Sequence, residues 1–309
     1  EAMEGYDPAK VQKARATEEE LFTFIKDDIE DALGLFPSTA FETGRNHWSK
    51  AATYALKADV YLWTARRKNG GETDYRTALG ACEEVQKIAG IRLLPEFKDV
   101  FAYENKGNDE ILMAVNYKLN EADNNYFDMM HISPATISPD IEPEILEIIG
   151  AGGGLMEQSP SKHLREQYAP DDSRKDATFL EIYKTVEGER KYYGTMAMKG
   201  RGTVVSGVRY FVDDIILYRY ADVLLMKAEA KNGLGEDPTD EMKEVRERAY
   251  GEKYADHAFV NGTPAENDAA ILQERLLEFA FECKRWWDLV RFDKAFELVP
   301  SLVGRDNPE

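Results

Sequence analysis

The chain has 309 residues, 43% hydrophobic and 31% charged, enough apolar material for one extended helical domain or two compact ones. With 58 acidic against 39 basic side chains its formal net charge is −19, which excludes a general nucleic-acid binder, because phosphate contacts need a basic surface. No apolar run approaches the roughly eighteen residues that cross a bilayer. The two cysteines, Cys82 and Cys283, lie far apart in apolar helical patterns that predict buried, inert thiols rather than a disulfide or a metal site.

The chain opens on EAMEGYDPAK with no secretory signal, as a mature or trimmed front does, so no cytoplasmic address follows. Glu18–Leu35 has apolar residues at helical spacing, Thr17 as N-cap and acidic residues in its first turn, and it ends before Pro37. Trp48–Arg67 is an Ala-rich second helix; Asn69–Gly70–Gly71 stops it and Tyr75–Ala89 returns. Glu110–Tyr117 has the character of a short buried strand, followed by a loop too rich in Asn, Asp, Ser and Pro for regular structure. Gly150–Gly154 (GAGGG) is a loop and not a phosphate cradle, since Leu155 breaks the Gly-x-Gly-x-x-Gly spacing. Ser159–Tyr168 suggests a capped short helix and Asp171–Arg174 a turn. Lys184–Arg209 carries six basic residues against two acidic ones, which suggests an exposed loop or hairpin and, weakly, an acidic ligand. Helical patterning resumes at Ile215–Lys231 and Pro238–Ala249, and Ala265–Phe292 reads as one long buried helix.

Two stretches repeat. Ala58–Gly70 (ADVYLWTARRKNG) matches Ala221–Gly233 (ADVLLMKAEAKNG) at an offset of 163 residues, sharing the Ala-Asp-Val start, Leu62/Leu225, Ala65/Ala228 and the closing Lys-Asn-Gly. Small residues on one helix face followed by an Asn-Gly turn form the unit of a helical-hairpin repeat.

Within Glu274–Phe292, Arg275, Glu278, Glu282 and Arg285 share one narrow arc at 100° per residue, bordered by Phe279, Trp286 and Leu289. Buried charges are tolerable only when paired. One reading makes Glu278 and Glu282 a general acid and base. The favoured one makes Arg275, Glu278, Glu282, Arg285, Asp288 and Arg291 a structural ion-pair network, because flanking arginines lower carboxylate pKa values and weaken them as proton donors.

No metal or cofactor is expected: His47, His131, His163 and His257 are isolated, and no Gly-x-Ser-x-Gly elbow occurs. What remains is aromatic residues among amides and acids. Tyr117, Tyr126 and His131 sit beside Asn124 and Asn125, and Tyr192–Tyr193 lies in the basic stretch. Rings that stack on sugar faces, beside amides that bond hydroxyls, suit a carbohydrate, so Tyr117, Asn124, Asn125, Tyr126, His131, Tyr192 and Tyr193 are the candidate ligand residues. An equal reading has Tyr117 ending its strand and Tyr126 anchoring its own loop.

Four segments carry a family resemblance: Ile271–Phe292 (ILQERLLEFAFECKRWWDLVRF), Leu217–Glu236 (LYRYADVLLMKAEAKNGLGE), Trp48–Trp63 (WSKAATYALKADVYLW) and Ser159–Phe179. Together they resemble SusD-like (RagB/SusD) proteins. The resemblance implies a mostly α fold of TPR-like helical hairpins (an α-α superhelix) with an irregular, loop-rich insertion containing a few short strands. The expected division is 1–101 for the first hairpins, 102–212 for the insertion and 213–309 for the C-terminal helices, within one integrated domain. It further implies a non-catalytic, lipid-anchored protein on the outer face of an outer membrane, which binds a poly- or oligosaccharide and delivers it to a SusC-like TonB-dependent transporter. Family members usually carry a lipidated N-terminal Cys, a preceding helical region and a longer tail, none of which this chain has, so part of the ligand platform is expected elsewhere. Two other readings are a helical glycoside hydrolase using Glu278 or Glu282 and a TPR-type adaptor for peptides.

Overall fold

A computed structural model describes residues 14–299 and 301–302; the opening EAMEGYDPAK lies outside them. Helix α1 (Glu18–Leu35) begins with a reciprocal cap, the Glu20 N–H donating to Thr17 Oγ1 at 3.2 Å and the Thr17 N–H to Glu20 Oε2 at 2.8 Å. Its inner stripe, Ile29 and Leu33, rests on α2 (Lys50–Arg67), which Ser49 caps. Ala51, Ala55, Ala58, Leu62 and Ala65 of α2 fall at alternating spacings of four and three and are buried. Such a small-residue face lets α3 (Gly71–Gln86), with Ala78, Ala81, Cys82 and Val85, lie close along it.

The chain then leaves the helical scaffold. Strand β1 (Ile111–Val115) is followed by short helices α4 (Asn125–Asp128), α5 (Pro143–Ile149), α6 (Lys162–Arg165) and α7 (Arg174–Thr178). Two hairpins come next: β2 (Phe179–Val186) with β3 (Glu189–Ala197), and β4 (Thr203–Val205) with β5 (Val208–Tyr210). Each turns through two positive-φ residues ending in glycine, Glu187–Gly188 and Ser206–Gly207. Under this insertion lies a second, smaller core of Ile132, Ile141, Ile145, Ile149, Ile182 and Met196. Strand β6 (Ile215–Arg219) closes it by pairing antiparallel with β1, Ile111 opposite Arg219 and Val115 opposite Ile215.

The helices resume with α8 (Tyr220–Gly233), α9 (Thr239–Tyr250), α10 (Pro264–Phe279), α11 (Arg285–Arg291) and α12 (Ala295–Leu298). α8 packs against α3, so the two repeat halves are successive layers despite the insertion between them. Gly233 is required at that contact, since a Cβ there would stand 2.5 Å from the Tyr75 ring. The molecule is thus mostly α, a TPR-like stack of hairpins carrying a loop-rich insertion with a few short strands.

Four expectations need correction. Residues 215–219 are strand, and the second repeat helix begins only at Tyr220, because β1 offers this segment a ladder that isolated periodicity cannot reveal. Ala265–Phe292 is not one helix: α10 stops at Phe279 and the chain crosses Phe281 and Cys283 with φ of 65° and 59° before α11. The cause is tertiary. The Glu278 carbonyl, which would accept the Glu282 N–H in a continuing helix, instead accepts Lys199 Nζ and Arg219 Nη2, both at 2.9 Å, and the Glu282 N–H turns to the Phe279 carbonyl. Through this break Cys283 becomes exposed, while Cys82 is buried. Trp286 and Trp287, expected inside, are 49% and 59% exposed.

Candidate functional site

Glu278 and Glu282 pair across the fold and not along their own helix. Glu278 on α10 accepts from Arg219 at the end of β6 (2.6 Å), from Arg174 at the start of α7 (3.1 Å) and from Arg248 on α9. Glu282 binds Arg219 (2.8 Å) and Lys199 (2.7 Å), and Glu110 also reaches Arg219 at 2.7 Å. Arg174 is held in turn by Asp172 (2.8 Å) and Glu274 (2.7 Å), which is what the Asp-x-Arg turn accomplishes. Burial pushes the Glu278 carboxyl up, but Arg248, Arg219 and Arg174 outweigh it and hold the group far below the usual carboxylate range; Glu282 is held down likewise by Arg219 and Lys199. Burial pulls Lys199 down to about 8 against the opposing pull of Glu282.

The remaining members of the stripe form a separate group. Arg275 meets Asp288 at 2.8 Å, and Arg291 meets Glu229 (3.0 Å), Asp288 (3.2 Å) and Asp59 (2.9 Å). Arg285 stands apart from both, donating to the Leu272 carbonyl at 2.9 Å. The arc drawn on a continuous helix therefore joins residues that the break at 280–284 separates.

The candidate ligand residues are scattered. Asn124 is buried as the cap of α4, accepting the Tyr126 N–H at 2.8 Å and donating to the Asp213 carbonyl at 3.1 Å. His131 is 1% exposed, edge-on to Phe211 at 5.5 Å, with neither ring nitrogen hydrogen-bonded. Neither can reach a ligand at the surface. Asn125 is exposed on α4. Tyr126 packs with Phe127 and Phe281 around a small apolar cavity of about 50 Å³. Tyr117 lies near its rim, its carbonyl accepting Lys106 Nζ at 2.6 Å while that ammonium sits 4.9 Å from the Tyr103 ring. Tyr192 and Tyr193 are on β3: Tyr192 is half exposed with Arg165 over its ring at 4.6 Å, and Tyr193 donates to the Thr136 carbonyl at 2.7 Å. The basic stretch around them is less free than its composition suggests. Lys199 is buried against Glu282, Arg190 pairs with Glu142 and Lys191 with Glu189.

The larger opening lies behind Phe101–Tyr103, a groove of about 440 Å³ between the two short turns of 3-10 helix (Phe97–Phe101 and Tyr103–Asn105), the start of α7 and residues 198–213. That volume falls in the range of small-molecule sites, about 300–1,000 Å³, whereas the 50 Å³ cavity sharing its Phe101–Tyr103 wall is too small for a sugar. Phe101 and Tyr103, with the nearly buried Phe97 beneath, share the lining with Arg201, Arg209 and Asp213. Arg201 and Arg209 are fixed by backbone carbonyls at the end of α5, Arg209 Nη2 to Ile149 at 3.0 Å and Arg201 to Ile148. Burial pushes the Asp213 carboxyl up to about 6, against the Gly202 N–H that it accepts. Lys98, Glu96, Glu104 and Asp176 complete the rim, and among the described residues none of these seven charged side chains closes an ion pair. The result is mixed donors and acceptors beside rings, with no strong excess of either charge. Sequence reading passed over Phe101 and Tyr103. The one available signal was a run of three aromatics, Phe97, Phe101 and Tyr103, in a polar connection between a helix and a strand.

The model of the SusD family matches residues 62–303. SusD-like protein P38 of Formosa agariphila is 27% identical over 331 residues, taking in 94% of this chain and 61% of that protein. A SusD superfamily protein of Bacteroides vulgatus superposes with a TM-score of 0.82 at 34% identity, covering 90% of this chain and 65% of that one. Surface glycan-binding protein A of Bacteroides thetaiotaomicron, solved in complex with laminarihexaose, shares the fold at 23% identity and a TM-score of 0.63, covering 90% of this chain and 62% of its own. The chain thus spans about three fifths of the length of these relatives.

Proposed function

The chain belongs to the SusD family, and on that premise we propose that it binds a poly- or oligosaccharide without converting it. We place it on the outer face of an outer membrane, held by a lipid anchor and delivering glycan to a SusC-like TonB-dependent transporter. The observation that carries the binding role is the Phe101–Tyr103 groove, whose lining brings aromatic side chains together with charged groups left without ion-pair partners among the described residues. Rings stack on the apolar faces of sugars, and unpaired carboxylates and guanidiniums take hydroxyls as acceptors and donors. The mixed charge favours a neutral glycan over an acidic one.

The glycosidase alternative loses its footing in the same geometry. That chemistry needs two carboxylates about 5–10 Å apart on either side of an open cleft, one of them protonated. Glu278 is wholly buried and Glu282 nearly so, and cations hold both ionised.

Retention on a polysaccharide panel tests the proposal. Tyr103→Ala should weaken binding of the retained glycan at least about tenfold, or about 1.4 kcal/mol, with an unchanged melting temperature. Full retention by Tyr103→Ala, with loss in a Tyr192→Ala/Tyr193→Ala pair, would move the site to the β2–β3 hairpin. Retention on no polysaccharide, with capture of peptides instead, would favour the adaptor.

A further inference from the structure

A cavity of about 210 Å³ that shares Cys283 with the Tyr126 pocket opens between α2, β6, α8, α10 and α11. Its lining brings together Asp59, Tyr218, Arg275, Lys284, Trp287 and Asp288. Two features distinguish it from a packing defect. The Trp287 indole is 59% exposed and is held by an edge contact with Trp63 at 6.2 Å, so a large flat ring is fixed in place without being covered. At the mouth, the Asp59 carboxylate is fixed by Tyr218 Oη at 3.0 Å and Arg291 at 2.9 Å yet stays 38% open.

We propose that this cavity is a second saccharide site, distinct from the Tyr103 groove, in which the Trp287 indole stacks on one pyranose ring and the open Asp59 carboxylate accepts from one of its hydroxyls. A carboxylate fixed by Tyr218 and Arg291 keeps acceptor capacity for such a hydroxyl. At about 210 Å³ the cavity lies below the roughly 300–1,000 Å³ of drug-sized sites and suits a single ring rather than a chain segment. The inference rests on the glycan-binding reading, but it draws on a different set of residues. Two sites on one molecule would let a long glycan be held at two points, raising its apparent affinity through effective concentration.

The test is an NMR titration of the full chain with methyl glucopyranoside, methyl galactopyranoside and methyl mannopyranoside. The chain has four tryptophans, so the Trp287 indole N–H signal is assigned by its loss in Trp287→Ala. At least one glycoside should shift that signal and receive saturation from the protein. In the Tyr103→Ala background, where the groove no longer contributes, Trp287→Ala should abolish the transfer, while Trp286→Ala, a 49% exposed indole outside the cavity lining, should leave it intact. No Trp287 shift with any of the three, or transfer in the Tyr103→Ala background that survives Trp287→Ala, overturns the second site. Polysaccharide retention sensitive to Tyr103→Ala would in that case still uphold the glycan-binding reading, and only loss of all retention would remove both.

Discussion

Replacing Glu282 by Ala should destabilise the fold far more than it alters ligand affinity. The substitution removes two bonds from Arg219, at 2.8 and 2.9 Å, and the one carboxylate partner that Lys199 has among the described residues, at 2.7 Å. Arg219 keeps Glu110 and Glu278, whereas Lys199 keeps the Glu278 carbonyl and the rings of Phe97 and Phe101, at 4.9 and 4.5 Å, but no carboxylate among the described residues. Breaking a buried pair from one side costs about 3–5 kcal/mol, because the remaining charge is left without compensation. Set against a total stability of about 5–15 kcal/mol, that loss should lower the melting temperature by roughly 6–10 °C, at the shallow slope expected of a chain this long. Urea unfolding followed by circular dichroism should show a lower midpoint with an unchanged slope. Because Lys199 already sits at about 8, removing Glu282 lets it shed its proton near neutral pH. Lys199→Met should therefore rescue part of the loss when added to Glu282→Ala, with a coupling of about 0.5–3 kcal/mol. An unchanged midpoint in Glu282→Ala, or glycan affinity lost while stability persists, would refute the structural role and make the stripe a functional surface.

His131, pushed down to about 3 by burial and by Arg209 and Arg201, is buried neutral. With an unfolded value near 6.5, its contribution is present above that pH and fades as pH falls towards 3, a loss of roughly 2 kcal/mol by pH 5. His131→Leu should flatten this acid limb of the urea-midpoint profile and leave stability at pH 7 equal or higher; an unaltered profile would contradict it. Asp213 works in the opposite sense. Its raised value of about 6 gives stability that is complete below about 3.9 and lost as pH rises through 6. Asp213→Asn should therefore gain up to about 3 kcal/mol at pH 7.5 and nothing at pH 4, measured as the difference in urea midpoints from the unsubstituted protein.

The helical scaffold was legible because its signals are local. Apolar spacing, Thr17 as a cap and the Asn-Gly turns act within one or two helical turns, and the Ala-Asp-Val…Lys-Asn-Gly repeat records a packing face that the tertiary fold reuses. The charges of Glu278 and Glu282 could likewise be read as needing partners, since burial forces pairing whatever the partners are. Which partners they find was decided elsewhere. Arg174, Arg219, Arg248 and Lys199 come from four separate elements, and two of them take the Glu278 carbonyl and end α10 where no Gly or Pro stands. That break swings Trp287 and Cys283 to the surface and creates the cavity beside them. The Tyr103 groove is equally a product of distance, assembled from residues 96–104, 173–177 and 198–213. A sequence fixes what each segment prefers and what each buried group must find. Cavities, and the meeting of charges more than a hundred residues apart, exist only once the chain has closed on itself, because they are properties of the space between segments.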